Sequence, residues 1–514
     1  MTFILVATQD IHTACCTAAR RNFPEAPERW TQPFGGLHFI ACGDFAQHQP
    51  VTGRSLFVGA ADADYLAGLS TIVLTDGKKR GRGDDYATNN KNIRGRALWV
   101  DFKYCIILKQ QHRFGNDADG QALYDLVYRL THSCRRDGTP LSDTDIANLA
   151  DLLNSRAIAP ADLPDFLRRR PKAIVLRHAV RPALTSLLVQ HHAAAVNSRV
   201  ICWRARDIGY NPDVKKSAIP LSAPILKILE QYSDNDTPPA IQYFYPGIPY
   251  RFIGQTGYPA IGWFNNGSCI GQELVLDPRE PPDTLTGDFW SLKYRPKAII
   301  VRLPHRKLGK LCGPGITEDC VPVMETLSGG VKCKLPTFTK LYKEPRDKTM
   351  DMYVNFKRLS FPLDTALAFT DYFAQGVSFR GDPHFLHLNL PPRQTFKRAN
   401  LLVPVSRPAK LSDVVLLQPL WKTGDVSERE RVIKMISGAL KFDPDYTAEM
   451  DRLQQKATET RDALYPTLMH NTTEATTPQH TCIGKFAVLC SPHTQATCLH
   501  CLSVRNHNTL NCLG

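Results

Sequence analysis

The segment GGLHFIACGDFAQHQPV, near the start of the chain, contains a mostly apolar run that ends abruptly in polar residues. Residues 37–42 form the run, Gly43 and Asp44 follow it directly, and Gln47 comes shortly after. A short apolar run closed by glycine and aspartate is typical of a buried strand that ends in a turn. In open α/β sheets, ligands bind at the edge where such strands end. The segment therefore predicts an α/β domain with a binding site at the end of this strand.

Three further stretches join an apolar run to polar or basic residues in the same way. They are LKQQHRF with Arg113, AFTDYFAQG with Gln375 and Gly376, and VPVSRP with Arg407. Each closes a predicted strand or turn, so we expect all four features on the same edge of a parallel sheet. A cleft lined by arginines and side-chain amides is positive and rich in donors, which suits a triphosphate.

Composition is that of a globular protein with a basic surface. The chain has 514 residues, enough for about three or four domains, and is 43% hydrophobic and 22% charged. The net charge of +14 favours a polyanionic partner such as nucleic acid. No apolar stretch approaches the ~20 residues of a membrane helix. The opening MTFILVATQD lacks the basic leader of a signal peptide, and we interpret it as lying inside a domain.

The cysteines predict buried thiols rather than a disulfide framework. There are 15 of them, an odd number, spread thinly from Cys15 to Cys512. Near the end, Cys490, His493, Cys498 and Cys501 have the side chains of a zinc site, but the gap between the two pairs is tight for one. We therefore expect a poorly packed tail in preference to a zinc site, and predict no metal ligands.

Several segments have clear secondary-structure signals. Apolar spacing predicts a helix from residue 117, and residues 173–176 form a strand followed by a helix through Leu184 and Leu188. Residues 77–96, rich in Gly, Asn and Arg, predict a solvated loop, with a loop that follows a phosphate backbone as the alternative.

The second half of the chain changes from strands to helices. Asn266-Gly267 predicts a hairpin between two apolar strands. The stretch ANLLVPVSRPAKLSDVVLLQP predicts two strands around Ser406 and Arg407. Ser427 and Glu430 form a capping box that opens a helix, and a second charged helix covers residues 447–464.

In this order the stretches resemble the motifs of PIF-type ATP-dependent DNA helicases of superfamily one, which include the helicase half of fungal Helitron transposases. FGGLHFIACGDFAQHQPV resembles motif III, LKQQHRF motif IV, FPLDTALAFTDYFAQGVSF motif V and LVPVSRPAKL motif VI, while GWFNNGSCIG resembles the Asn-Gly turn before the family's barrel insertion. The resemblance covers residues 34–420.

The resemblance implies an α/β fold with two RecA-like P-loop NTPase domains and a small SH3-like β-barrel inserted in the second. Residues 1–115 would be a truncated remnant of the first domain. Residues 116–237 and 357–445 would form the second, residues 238–356 the insertion, and residues 446–514 a helical segment followed by the Cys/His-rich tail.

The resemblance also implies roles for individual residues. Gln47 would sense the γ-phosphate, and Arg113 and Arg407 would stabilise charge on the transferring phosphoryl group. The nucleotide-binding residues would be Gly43, Asp44, Gln375 and Gly376, and the DNA-binding residues Thr370 and Asn266. The complete family member uses ATP and Mg²⁺, moves 5′ to 3′ along single-stranded DNA in repair, recombination or transposition, and would be a nuclear monomer.

Two elements of such an ATPase are missing from the sequence. No Gly-Lys is followed by Ser or Thr, as a phosphate-binding loop requires, and no Asp-Glu pair precedes motif III. In the family both lie upstream of motif III, and only 33 residues precede Phe34, so we expect the chain to begin just after them. His48-Gln49 stands where the family usually has Leu-Pro, and Phe373 where a lysine or arginine is common.

These departures leave three hypotheses for the chain. The first is a helicase-derived enzyme, truncated here, that hydrolyses ATP negligibly by itself. The second is a non-catalytic protein that binds single-stranded DNA. The third is a chain that does not fold stably. Salt-sensitive binding to single strands is expected of the first two, and only the first predicts an effect of ATP on that binding.

Overall fold

The computed structural model describes residues 5–48, 54–58, 60, 84–108, 111–210, 218–234, 236–254, 262–282, 289–303, 317–335, 353–375, 384–388, 396–469 and 485–490. They form a mixed α/β structure with both parallel and antiparallel sheets. Within these ranges, no helix has the length and apolar character needed to cross a membrane.

The described helices are α1 Leu5–Asn22, α2 Pro27–Trp30, α3 Asp84–Val100, α4 Ala118–His132, α5 Asp143–Asn154, α6 Leu163–Arg168, α7 Arg181–Ala194, α8 Ala223–Glu230, α9 Asp371–Ala374, α10 Arg398–Val405, α11 Val426–Leu440 and α12 Pro444–Met469. The described strands are β1 Phe39–Gly43, β2 Tyr104–Leu108, β3 Lys172–Val175, β4 Val200–Arg204, β5 Arg206–Tyr210, β6 Ala218–Ile219, β7 Ile241–Phe244, β8 Pro249–Phe252, β9 Ser268–Val275, β10 Phe289–Ser291, β11 Ala298–Arg302, β12 Cys320–Val323, β13 Thr326–Leu327, β14 Val331–Lys334, β15 Tyr353–Ser360, β16 Leu363–Thr365, β17 Ala368–Thr370, β18 His384–His387, β19 Val414–Leu416 and β20 Lys485–Cys490.

A parallel sheet with the strand order β17-β3-β18-β19 organises the second half of the fold. Side chains of β3 alternate between its two faces. Ala173 and Val175 belong to the buried apolar cluster of Leu188 from α7, whereas Ile174 belongs to that of Leu123 from α4. Because both faces are covered, the strand is apolar from Ala173 to Val175. The predicted strand and the two helices beside it are confirmed as β3, α4 and α7.

The N-terminal region is closed by elements from the far end of the chain. β1 and β2 do not pair with each other, because β20 lies between them, antiparallel to both. The sequence did not predict this strand. Trp99 of α3 and Leu453 of α12 share one buried core, and the buried carboxylate of Glu449 accepts from Trp99 Nε1 at 2.6 Å and Arg96 Nη2 at 2.7 Å.

Described residues between positions 238 and 356 form strands and no helix. β8, β9, β11 and β12 join β16 in an antiparallel sheet, and β13, β14 and β15 join β5 and β6 in another. β7 and β10 flank β4 in a third. The described strands thus lie in three sheets, and a small SH3-like barrel stays a proposal.

Two secondary-structure predictions are wrong or incomplete. The first predicted strand before Ser406 is helix α10, because residues 401–405 are apolar and buried all round, and such a run has no period that separates helix from strand. The loop predicted over 77–96 is helical from Asp84 onward, where Asn92, Arg96 and Trp99 face the core.

Turn chemistry explains two smaller differences. Helix α11 begins earlier than predicted, because its N-cap is Asp425, whose side chain accepts from the backbone N–H of Glu428. β8 and β9 pair antiparallel as predicted, but Asn266 and Gly267 end a longer loop rather than form a two-residue turn. Asn266 has a positive φ of 67°, which asparagine tolerates better than most residues.

Candidate functional site

Four of the predicted segments meet in one place, which we call the seam: residues 44–48 after β1, residues 111–115 before α4, residues 370–375 around α9, and residues 406–409 after α10. The predicted shared edge of one parallel sheet is wrong, because β1 and β17 lie in different sheets and Arg407 follows a helix. The segments meet through tertiary packing instead.

The turn after β1 is held by its own aspartate. Asp44 Oδ1 accepts from the backbone N–H of Ala46 at 3.0 Å, and its Oδ2 accepts from Gln47 Nε2 at 3.1 Å. The Gln47 amide therefore lies within the turn at the end of the strand. Gly43 precedes it, and a Cβ added there would meet no atom within 4 Å. Glycine at this position is not required by local crowding.

His48 connects this turn to α9. Its Nε2 lies 3.2 Å from Asp371 Oδ2, with both side chains buried, and its ring stacks on Tyr372 at 4.0 Å. Asp371 also accepts from Asn400 Nδ2 at 2.8 Å. Sequence reasoning singled out His48 only as a departure from a family pattern and missed Asp371. A histidine in place of an aliphatic residue, and an aspartate directly after a strand, were the available signals.

Arg113 joins the segment before α4 to the segment after α10. Its Nη1 donates to the carbonyl oxygen of Ser406 at 2.9 Å, and the backbone N–H of Gly115 donates to Ala409 at 3.0 Å. Arg113 is half-buried, so its guanidinium is the more accessible of the two predicted arginines.

Arg407 is only 1% exposed, and its described hydrogen bonds go to neutral oxygens. Its guanidinium donates to the carbonyls of Val403 at 2.8 Å and Ala374 at 3.1 Å, and to Ser406 Oγ at 2.7 Å. Burial and, to a smaller extent, the charge of the nearby Arg113 lower the pKa of Arg407 to about 9, while Asp44 opposes both. The charges of these three predicted residues are thus close enough to affect one another.

Thr370 and Gln375 lie at the two ends of α9. The Thr370 hydroxyl caps the helix by accepting from the backbone N–H of Phe373 at 3.4 Å, and Gln375 follows the last helical residue. Gly376, predicted beside it, lies outside the described residues. Thr370 is buried, so its position in this structure is that of a helix cap.

Asn266 lies away from the seam but is linked to it through Arg251. The Asn266 side-chain oxygen accepts from Arg251 Nη1 at 2.9 Å, and Arg251 Nη2 pairs with Asp364 at 2.8 Å. The same guanidinium lies 4.4 Å from the ring centroid of Phe373 in α9. The Arg251 guanidinium of β8 thus lies beside Phe373, the position noted above for its lack of a lysine or arginine.

The seam carries groups that bind anions, but it has no cluster of metal ligands among the described residues. Arginine guanidinium groups and side-chain amides fit phosphate oxygens, so the donor set is suited to a nucleotide. Mg²⁺ would need carboxylates or phosphates that converge on one point. The Cys/His-rich segment that ends at Cys501 lies outside the described residues, apart from the backbone of β20.

Comparisons with known proteins were made by sequence and by structure. No protein-family model and no curated protein matches the sequence. Among solved structures, the chain is similar to the Pif1 helicase from Candida albicans (16% identity, 84% of this chain and 75% of that one, TM-score 0.36). It is also similar to Bacteroides Pif1 bound to ssDNA (13% identity, 84% and 74%, TM-score 0.39). At such low identities and TM-scores, these similarities assign no function to the chain.

Proposed function

We propose that this chain is a helicase-type protein that binds single-stranded DNA and holds the phosphates of a nucleoside triphosphate at the seam. The observation that carries the proposal is the double contact of segment 406–409: Arg113 donates to Ser406, and Arg407 donates to Ala374. Segments that were predicted from separate motifs to act on one nucleotide therefore lie in contact.

The seam would bind phosphate mainly through Arg113. Arg113 is half-buried, whereas Arg407 is buried and already donates to three oxygens. Arg407 thus acts as a positioning residue in this conformation, because it holds the end of α9 against the segment that anchors Arg113. A direct phosphate contact from Arg407 would need it to leave those oxygens.

The remaining predicted residues fit around this pair. Gln47 and Asp44 belong to the turn after β1 and Gln375 follows α9, and these residues would contact the nucleotide, as would Gly376, which lies outside the described residues. Thr370 and Asn266 would contribute to DNA binding, Asn266 through its link to Arg251 and α9. Bound ATP with Mg²⁺ supplies a transferable phosphoryl group, and the residues described here would hold its anionic oxygens and connect its presence to α9.

The second candidate is a non-catalytic single-stranded-DNA-binding protein. The observation in its favour is the sequence itself, in which no Gly-Lys is followed by Ser or Thr. Both candidates fit the net charge of +14. The first candidate, the helicase-type protein, also includes RecA-like domains, 5′ to 3′ movement, a monomeric state, a nuclear location and a role in repair, recombination or transposition.

The test is the effect of nucleotide on DNA affinity. We expect a non-hydrolysable ATP analogue to change the Kd for a fluorescent oligothymidine several-fold in the unaltered chain, and to have no effect in Arg113→Met. Phosphate release should stay at background. Arg461→Met is the matched control, because Arg461 is an exposed arginine on α12.

Three results would count against the proposal in different ways. DNA binding that ignores nucleotide leaves only the non-catalytic candidate. DNA-stimulated phosphate release that Arg407→Ala abolishes would contradict the expected lack of hydrolysis. Absence of DNA binding would remove both candidates.

A further inference from the structure

The outward face of β5, β14 and β15 combines exposed lysines with tyrosine rings. We call it the lysine-tyrosine face, formed by Arg206, Tyr210, Lys332, Lys334, Tyr353 and Lys357. β15 pairs with β14 on one side and β5 on the other, so the six side chains lie on one surface. The opposite face is the buried one, where Phe356 and Arg358 are both 0% exposed.

Each tyrosine on this face has a lysine over its ring. Lys332 Nζ lies 4.2 Å from the ring centroid of Tyr353, and Lys357 Nζ lies 4.5 Å from that of Tyr210. Tyr353 is 45% exposed. These are cation–π contacts at an exposed surface, where they are weak, so a ligand can replace them at little cost.

The charge on this face is of one sign. In the described residues of β5, β14 and β15, the one acidic side chain is Asp207, and it turns inward to bind Arg358 at 2.6 Å. The outward face therefore has four basic groups and no carboxylate from its own strands. A face of this composition is complementary to a polyanion with flat apolar groups.

The spacing of the tyrosines favours a single strand over a duplex. Gly209 pairs with Phe356, so Tyr210 lies beside residue 355, two residues from Tyr353. The Cα atoms of the two tyrosines are therefore about 8 Å apart, from a strand spacing of ~4.8 Å and a rise of ~3.3 Å per residue. Successive stacked bases are about 3.4 Å apart, so an extended strand with unstacked bases fits this spacing better than a stacked one.

We propose that the lysine-tyrosine face binds single-stranded DNA, with bases stacked on Tyr210 and Tyr353 and phosphates bound by Lys332 and Lys357. On binding, each lysine leaves its ring for a phosphate, and a base takes its place on the ring. The inference rests on the proposed function, because it takes single-stranded DNA as the partner, and it adds a surface that is separate from the seam.

The charge component is tested with Lys332→Gln/Lys357→Gln. Loss of two phosphate contacts should reduce the slope of log Kd against log salt by about 1.4 for an oligothymidine of ~30 nucleotides. The matched control is Lys422→Gln/Lys441→Gln, which removes the same charge from exposed positions on other elements and should leave the slope unchanged.

The stacking component is tested with Tyr353→Leu. We expect affinity to fall about 5- to 100-fold with the salt slope unchanged, because the substitution removes a base platform but no charge. Phe23→Leu is the matched control: its ring is 40% exposed and has the Arg29 guanidinium 4.3 Å from its centroid, but it lies near α1. Thermal melts should show that all variants remain folded.

The outcomes separate this inference from the proposed function. Weaker binding in the face variants alone supports the inference. Binding that is equal in face variants and controls overturns the inference and leaves the proposed function standing. Lack of binding by the unaltered chain overturns both.

Discussion

Two fully buried arginines, Arg358 in the antiparallel sheet of β15 and Arg407 at the seam, are stabilised in different ways. Arg358 binds both carboxylate oxygens of Asp207, at 2.6 and 3.0 Å, and donates to two backbone carbonyls as well. Arg407 donates to two carbonyls and a hydroxyl, and burial lowers its pKa to about 9.

The difference indicates what each arginine does. A buried guanidinium that is matched by a carboxylate has its charge neutralised within the fold, which is typical of a structural ion pair. A buried guanidinium held by neutral oxygens and close to a second arginine is stabilised further by any anion that approaches. The seam is therefore the region where bound phosphate should matter, and the sheet is the region where stability should depend on the ion pair.

The largest expected effect concerns Asp207. Asp207→Ala would leave the Arg358 charge buried without its carboxylate, which should lower the free energy of unfolding by about 3–5 kcal/mol in urea titrations. Asp462→Ala is the control, because the Arg461–Asp462 pair is 62% exposed on both sides and should contribute less than about 1 kcal/mol. Equal effects of the two substitutions would contradict the comparison.

The second prediction concerns the pH dependence of stability and the histidine His132. This residue lies beside another arginine, Arg398, whose hydrogen-bond partners are neutral oxygens. Arg398 donates to the carbonyl of Thr131 at 2.6 Å, beside His132. Burial, with the Arg398 charge, lowers the pKa of His132 from 6.5 to about 4. The unfolded chain therefore binds a proton at a higher pH than the folded chain, and stability present above pH 6.5 is lost as the pH falls.

Between pH 7 and pH 5 the free energy of unfolding should fall by about 2 kcal/mol through His132. Urea titrations at both pH values measure it, and His132→Gln should remove this part of the pH dependence. An unchanged pH dependence in the variant would show that the histidine is not responsible.

The third prediction compares the two arginines directly. Arg407→Met should cost about 1 kcal/mol, because the lost hydrogen bonds are partly offset by removal of a poorly solvated charge. Arg358→Met should cost about 3–5 kcal/mol, because it leaves Asp207 buried and unmatched. Thermal and urea unfolding measure both changes in stability. Equal losses would mean that the partners of Arg407 compensate its charge as well as Asp207 compensates that of Arg358.

The smallest effect is expected at the contact between the turn after β1 and α9. His48→Leu removes the 3.2 Å contact with Asp371, which keeps its hydrogen bond from Asn400. We expect a loss of about 1 kcal/mol or less in urea unfolding. Asn400→Leu is the comparison and should cost at least as much. If His48→Leu lowered the free energy of unfolding by more than Asp207→Ala does, it would contradict the expectation that this single contact contributes little to stability.

Parts of the fold could be predicted because their signals are local. The helical spacing of Leu123, Leu126, Val127 and Leu130 predicted α4, and all four side chains are buried. The uniformly apolar run at 173–176 predicted a buried strand, and β3 is covered on both faces. Both signals depend only on which side of an element faces the core.

Other parts could not be predicted, because their patterns are ambiguous or their partners are distant. Residues 401–405 are apolar on every side, so their periodicity does not distinguish helix from strand. β20 pairs with strands more than 300 positions earlier in the chain, and no local pattern encodes such a pairing. The roles given to Gln47, Gln375, Thr370 and Asn266 stay predictions.

The sequence by itself determined the apolar periodicity of individual elements, the excess of positive charge and the four polar segments that resemble helicase motifs. Only the tertiary structure decided that Arg113 contacts Ser406, that Arg407 is buried against Ala374, and that His48 reaches Asp371. The physical reason is that periodicity reports the direction in which one element buries its side chains. The meeting of distant segments depends on how whole elements pack against one another.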